Sequence, residues 1–77
     1  MSEFHYGKHL GAIQVCYKVD HGGDRPQVTV YEQCRGPIGG NAVGKSLGFG
    51  VGDTVSEALS DASLDAIRNM TSYESPR

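Results

Sequence analysis

A chain of 77 residues has room for one domain, and a domain of that size buries only about 60% of its unfolded surface, so a partner or a second copy is expected to complete its core. A formal net charge of −2 excludes the overall basic footprint of a general nucleic-acid binder. No apolar run approaches the ~18–20 residues of a membrane span, and Met1-Ser2-Glu3-Phe4-His5 has neither the basic nor the apolar region of a secretion signal, so the expected location is the cytoplasm.

Residues 1–8 are expected to be a flexible tail or an extension of the first strand. From Ile13 the pattern alternates, with Ile13, Val15, Tyr17 and Val19 on one side and Gln14, Cys16 and Lys18 on the other, which predicts a half-buried strand. Asp20-His21-Gly22-Gly23-Asp24-Arg25-Pro26 is turn chemistry. Period two resumes over 27–35, with Val28, Val30 and Cys34 on the apolar side and Thr29, Tyr31, Gln33 and Arg35 opposite. The two runs predict an antiparallel hairpin, and they put Cys16 and Cys34 on opposite faces, where free thiols are expected.

Gly36-Pro37-Ile38-Gly39-Gly40-Asn41 reads as a second turn. A third strand over 42–51 has Val43, Leu47, Phe49 and Val51 on one face and Ala42, Gly44, Ser46, Gly48 and Gly50 on the other. Interior glycines weaken a strand and mark a place where another backbone comes close. Thr54 followed by Glu57 is a capping box. It opens a helix from Val55 to about Met70, with Val55, Ala58, Leu59, Ala62, Ala66 and Met70 as its apolar stripe and Ile67 widening it. Glu57, Asp61, Asp65 and Arg68 fall on the far side, and Leu64 lies nearly opposite the stripe. Residues 71–77 read as a second flexible tail. The expected architecture is α+β, a three-stranded antiparallel sheet in the order β-β-β-α with one amphipathic helix on its apolar face, forming a single domain over 1–77 with an ordered core of about 9–70.

Gly39-Gly40-Asn41-Ala42-Val43-Gly44-Lys45-Ser46 matches the phosphate-loop pattern G-x-x-x-x-G-K-[ST] in full. A working loop of this kind opens a helix whose amides face the phosphates. Here Leu47-Gly48-Phe49-Gly50-Val51-Gly52 follows, with glycines costing roughly 1 kcal/mol each in a helix relative to alanine. The segment is therefore expected to be a turn and a strand, and nucleotide binding through residues 39–46 is the least expected function of the chain. His5, His9 and His21 lack a ligand partner at metal spacing, and neither Cys16 nor Cys34 has a placed general base. No catalytic set, metal site or cofactor is expected.

Two surfaces remain. The acidic row Glu57, Asp61 and Asp65 with the apolar Leu64 could meet a basic partner surface. The back of the sheet, with Tyr31 and Arg35, could seat a partner or a homodimer seam. Lys18, Tyr31, Arg35 and Lys45 form the alternative, a nucleic-acid contact.

Gly48-Phe49-Gly50-Val51-Gly52-Asp53-Thr54-Val55-Ser56-Glu57-Ala58-Leu59-Ser60-Asp61-Ala62 resembles the last strand and helix of double-stranded-RNA-binding domains and the turn-helix of HicB-type antitoxins. In the RNA-binding family the helix start carries phosphate-gripping lysines, and this chain has Ser56, Glu57 and Asp61 there. In size, acidity and lack of catalytic groups the chain is also similar to small phage-encoded anti-defence proteins, anti-CRISPR proteins among them. That resemblance implies a non-enzymatic protein-binding module that inhibits or modulates a larger protein or ribonucleoprotein complex in the host bacterial cytoplasm.

Overall fold

The computed structural model describes residues 2–35 and 41–74, with side chains for 3–34 and 42–70. Four strands, β1 (Ser2–Leu10), β2 (Ile13–Asp20), β3 (Gln27–Arg35) and β4 (Asn41–Val51), form one antiparallel sheet in sequence order, and helix α1 (Val55–Glu74) follows. The α+β class and the C-terminal helix are as expected, whereas the sheet has four strands and not three. The extra strand is β1, which takes up most of the expected N-terminal tail. It turns into β2 through Gly11-Ala12, with Leu10 opposite Ile13 and Gly11 at φ 62, the positive φ that tight hairpins require.

A bulge interrupts β1. His5 lies opposite Tyr17 but Lys8 lies opposite Val15, so Tyr6 and Gly7 together face one residue of β2, and Gly7 takes φ 79. The same device moves β4. Val30 pairs with Gly48 and Tyr31 with Ser46, leaving Leu47 as an extra residue, and a second irregularity precedes Gln33 opposite Val43. One inserted residue sends the next side chain to the other face. Leu47 therefore packs with the core while Phe49 is 49% exposed.

The helix consequently lies on the glycine face of β4, not on the face of Val43, Phe49 and Val51. Ala58, Ala62 and Ala66 are fully buried and pack over Val15, Val19, Val28 and Val30. A methyl group added at Gly48 would sit 2.5 Å from the Ala62 carbonyl oxygen, and one at Gly52 would sit 2.6 Å from the Ala58 nitrogen. Gly50 is held equally close to the backbone of Ala58 and Ala62. The bare strand face is thus the seat of the chain's own helix, with glycine on one element and alanine on the other allowing the two backbones to touch.

The helix starts where the sequence places it. Thr54 Oγ1 accepts a hydrogen bond from the Glu57 amide at 3.2 Å, and Glu57 Oε1 accepts one from the Asp53 amide at 3.0 Å, one residue earlier than the standard reciprocal bond. It runs on past Met70 to Glu74, through the first residues of the expected C-terminal tail. Arg25 and Asp53 pair at 3.1 Å, and the Gly52 amide donates to the Pro26 carbonyl at 3.4 Å, tying the β2–β3 loop to the helix entry.

Candidate interaction surface

The acidic row has a position that helical periodicity could not supply. β4 is an edge strand, and α1 runs beside its open side. The Phe49 amide donates to Asp65 Oδ2 at 3.1 Å, the Val51 amide donates to Asp61 Oδ2 at 3.4 Å, and Asn69 Nδ2 donates to the Leu47 carbonyl at 2.6 Å. Residues 61, 65 and 69, one helical turn apart, thus meet the backbone at 51, 49 and 47, two strand residues apart. The rises nearly match, about 6 Å per four helical residues against about 6.8 Å per two strand residues. Edge amides that could pair with another chain are instead satisfied by side chains. Asp61 and Asp65 are not the free outer face expected of them; Glu57 caps the helix, and Asp65 also lies 3.8 Å from Arg68. Leu64, 58% exposed, points away from the sheet as expected.

The sheet face opposite the helix carries Phe4, Tyr6, Tyr31 and Phe49, whereas Tyr17 lies on the helix side with the core. Register puts Phe4 beside Lys18, Lys18 beside Thr29, Thr29 beside Phe49, Cys16 beside Tyr31 and Tyr31 beside Ser46. Phe4 stacks on Tyr6 with ring centroids 6.0 Å apart and meets Tyr31 at 6.2 Å. Beside this cluster Cys16 is fully buried, and burial, followed by the charge of Cys34, holds its thiol above the ordinary range. The cluster is nevertheless open outward: Phe4 is 43% and Tyr6 39% exposed, and Val43 and Phe49 lie on the same face, also exposed.

Of the residues singled out from sequence, Tyr31 and Lys18 come together on this face. Arg35 ends β3, and its side chain lies outside the described residues. Lys45 lines a cleft of 330 Å³ with Ile13, Glu32, Leu47, Asn69 and Met70, so the four residues of the nucleic-acid alternative do not form one described patch. Phe4, Tyr6 and Phe49 are the members that sequence reading missed. The Phe4/Tyr6 alternation was their signal, hidden by the bulge at Gly7.

Lys45 and Ser46 are strand residues, and the chain after Ser46 continues as strand, not as a phosphate-binding helix start; Gly39 and Gly40 lie outside the described residues. Cys16 and Cys34 are free, on opposite faces. His5 stacks on Tyr17 at 4.8 Å on the helix side, while the bulge puts His9, opposite Gln14, on the other side. Among the described residues no three His, Cys, Asp or Glu side chains group as a metal site requires, and no helix is long and apolar enough to cross a membrane. The chain matches no protein-family model, and neither a curated protein nor a solved structure is detectably similar to it.

Proposed function

We propose that the protein is a binding module that acts without catalysis and engages a partner protein through the open sheet face, with Phe4, Tyr6, Tyr31 and Phe49 as its anchors. The observation that carries this reading is a cluster of aromatic rings that, among the described residues, stays partly exposed on a four-stranded sheet whose other face is occupied by its own helix. Aromatic side chains supply large contact area at little entropic cost and are enriched among residues that dominate binding energy. This replaces the acidic helix row as the favoured surface, because Asp61 and Asp65 are already engaged by β4. Tyr31 keeps its role, and Arg35 is retained as a proposed contact from its place at the end of the same strand alone. At its finer level the proposal is inhibition or modulation of a larger host complex, in the manner of small phage anti-defence proteins; that level rests on size, acidity and the lack of a catalytic group.

A photo-crosslinking residue placed at Phe49 should capture a partner in bacterial cells, and the same residue at Leu64 should not. Capture from position 64 alone would refute the sheet-face reading. Several clustered aromatics also suit base stacking, the second reading. It requires affinity for single-stranded RNA or DNA that falls steeply with salt, so no binding at low salt removes it.

A further inference from the structure

Among the described residues the outer side of β1 is bare, and its sequence is complementary to itself. β1 pairs on one side with β2 and is the outer strand on the other. Unlike β4, it has no described side chain donating to or accepting from its outer backbone; the Gly7 amide bonds to Gln33 Oε1, which comes from the sheet side. Counting Tyr6 and Gly7 as the single position that the bulge makes of them, β1 offers the positions Ser2, Glu3, Phe4, His5, Tyr6/Gly7, Lys8 and His9.

We propose that two copies of the chain join edge to edge through β1, antiparallel about a two-fold axis at His5, to make one eight-stranded sheet. In this register Glu3 of each copy lies opposite Lys8 of the other, on the helix side, and Phe4 lies opposite Tyr6 of the other, on the open side. Both are pairings that stabilise antiparallel neighbours. Moving the axis breaks the match. An axis at Tyr6/Gly7 sets Glu3 against Leu10 and His5 against Lys8, and an axis at Phe4 shortens the ladder to five positions and leaves Lys8 unpaired. An interface around a two-fold must be complementary to itself, and the His5 register is the one in which both the charges and the rings of β1 satisfy that condition. The two aromatic clusters then flank the axis on one continuous face. This dimer does not depend on what the aromatic face binds.

The test is sedimentation velocity on the full chain and on charge variants. The wild type should sediment at twice its 8.2 kDa mass. Glu3→Lys or Lys8→Glu, each turning two attractions into repulsions, should weaken the dimer roughly tenfold or more, and the double exchange should restore it. The helical circular-dichroism signal should stay unchanged throughout. In a Cys34→Ser background, His5→Cys should give an oxidatively cross-linked dimer, because its two copies face each other. Glu3→Cys should not, because its copies stand four positions, roughly 13 Å, apart. A monomer at all concentrations, a double exchange that fails to restore association, or cross-linking from position 3 and not from position 5 would overturn the proposal.

Discussion

β4 and β1 close opposite sides of one sheet and meet the same physical problem, a row of backbone amides and carbonyls with no neighbouring strand. At β4 the chain solves it internally, with Asp61, Asp65 and Asn69 reaching from α1 to the backbone of residues 51, 49 and 47. At β1 the described structure has a bulge, a hairpin turn and mixed charges, and no covering element. The difference teaches that α1 has two functions on two of its sides. Its alanine stripe closes the core, and its carboxylate row closes an edge. A helix wheel shows the polarity of that second row without showing that strand backbone lies beside it.

The harshest way to break the contrast is to lift the helix. Gly50→Val would place a branched side chain where the Ala58 and Ala62 backbone already sits, and it should cost about 3 kcal/mol or more, seen as a loss of most of the cooperative thermal transition. A Gly50→Val protein as stable as the wild type would mean that the helix does not rest on this strand.

A milder change exposes β4 while leaving the core intact. Asp61→Ala with Asp65→Ala removes the acceptors for two edge amides, and should destabilise by about 1–3 kcal/mol and raise self-association at high concentration. If the double variant gains stability, the row is a solvated face and the two edges are alike.

The smallest effect sharpens the account by its absence. Leu64 faces away from both edges, so Leu64→Ala should change stability by no more than about 0.5 kcal/mol and leave association unchanged.

Much of this architecture is readable in the sequence. The alternation through Val15, Val19, Val28 and Val30, the Thr54/Glu57 cap and the Ala58-Ala62-Ala66 stripe all report the local periods that the fold uses. What escapes are the places where one extra residue resets the period. Gly7 hides the strand that holds Phe4 and Tyr6, and the irregularities around Leu47 turn Phe49 outward, so three of the four aromatics of the open face are assigned to a tail or to the core. Tyr31 escapes this because β3 carries the uninterrupted side of the pairing with β4. The carboxylate row fails for a different reason: its composition is that of a solvated helix face, and only the strand register beside it reveals hydrogen bonds to backbone.

Amide hydrogen exchange at Phe49 and Val51 tests the asymmetry of the two edges most directly. The account predicts that both amides, although on an edge strand, exchange slowly in the wild type and speed up in the Asp61→Ala, Asp65→Ala variant while Val28 and Val30 remain protected. Fast exchange at Phe49 and Val51 in the wild type, or protection untouched by the substitutions, would contradict it.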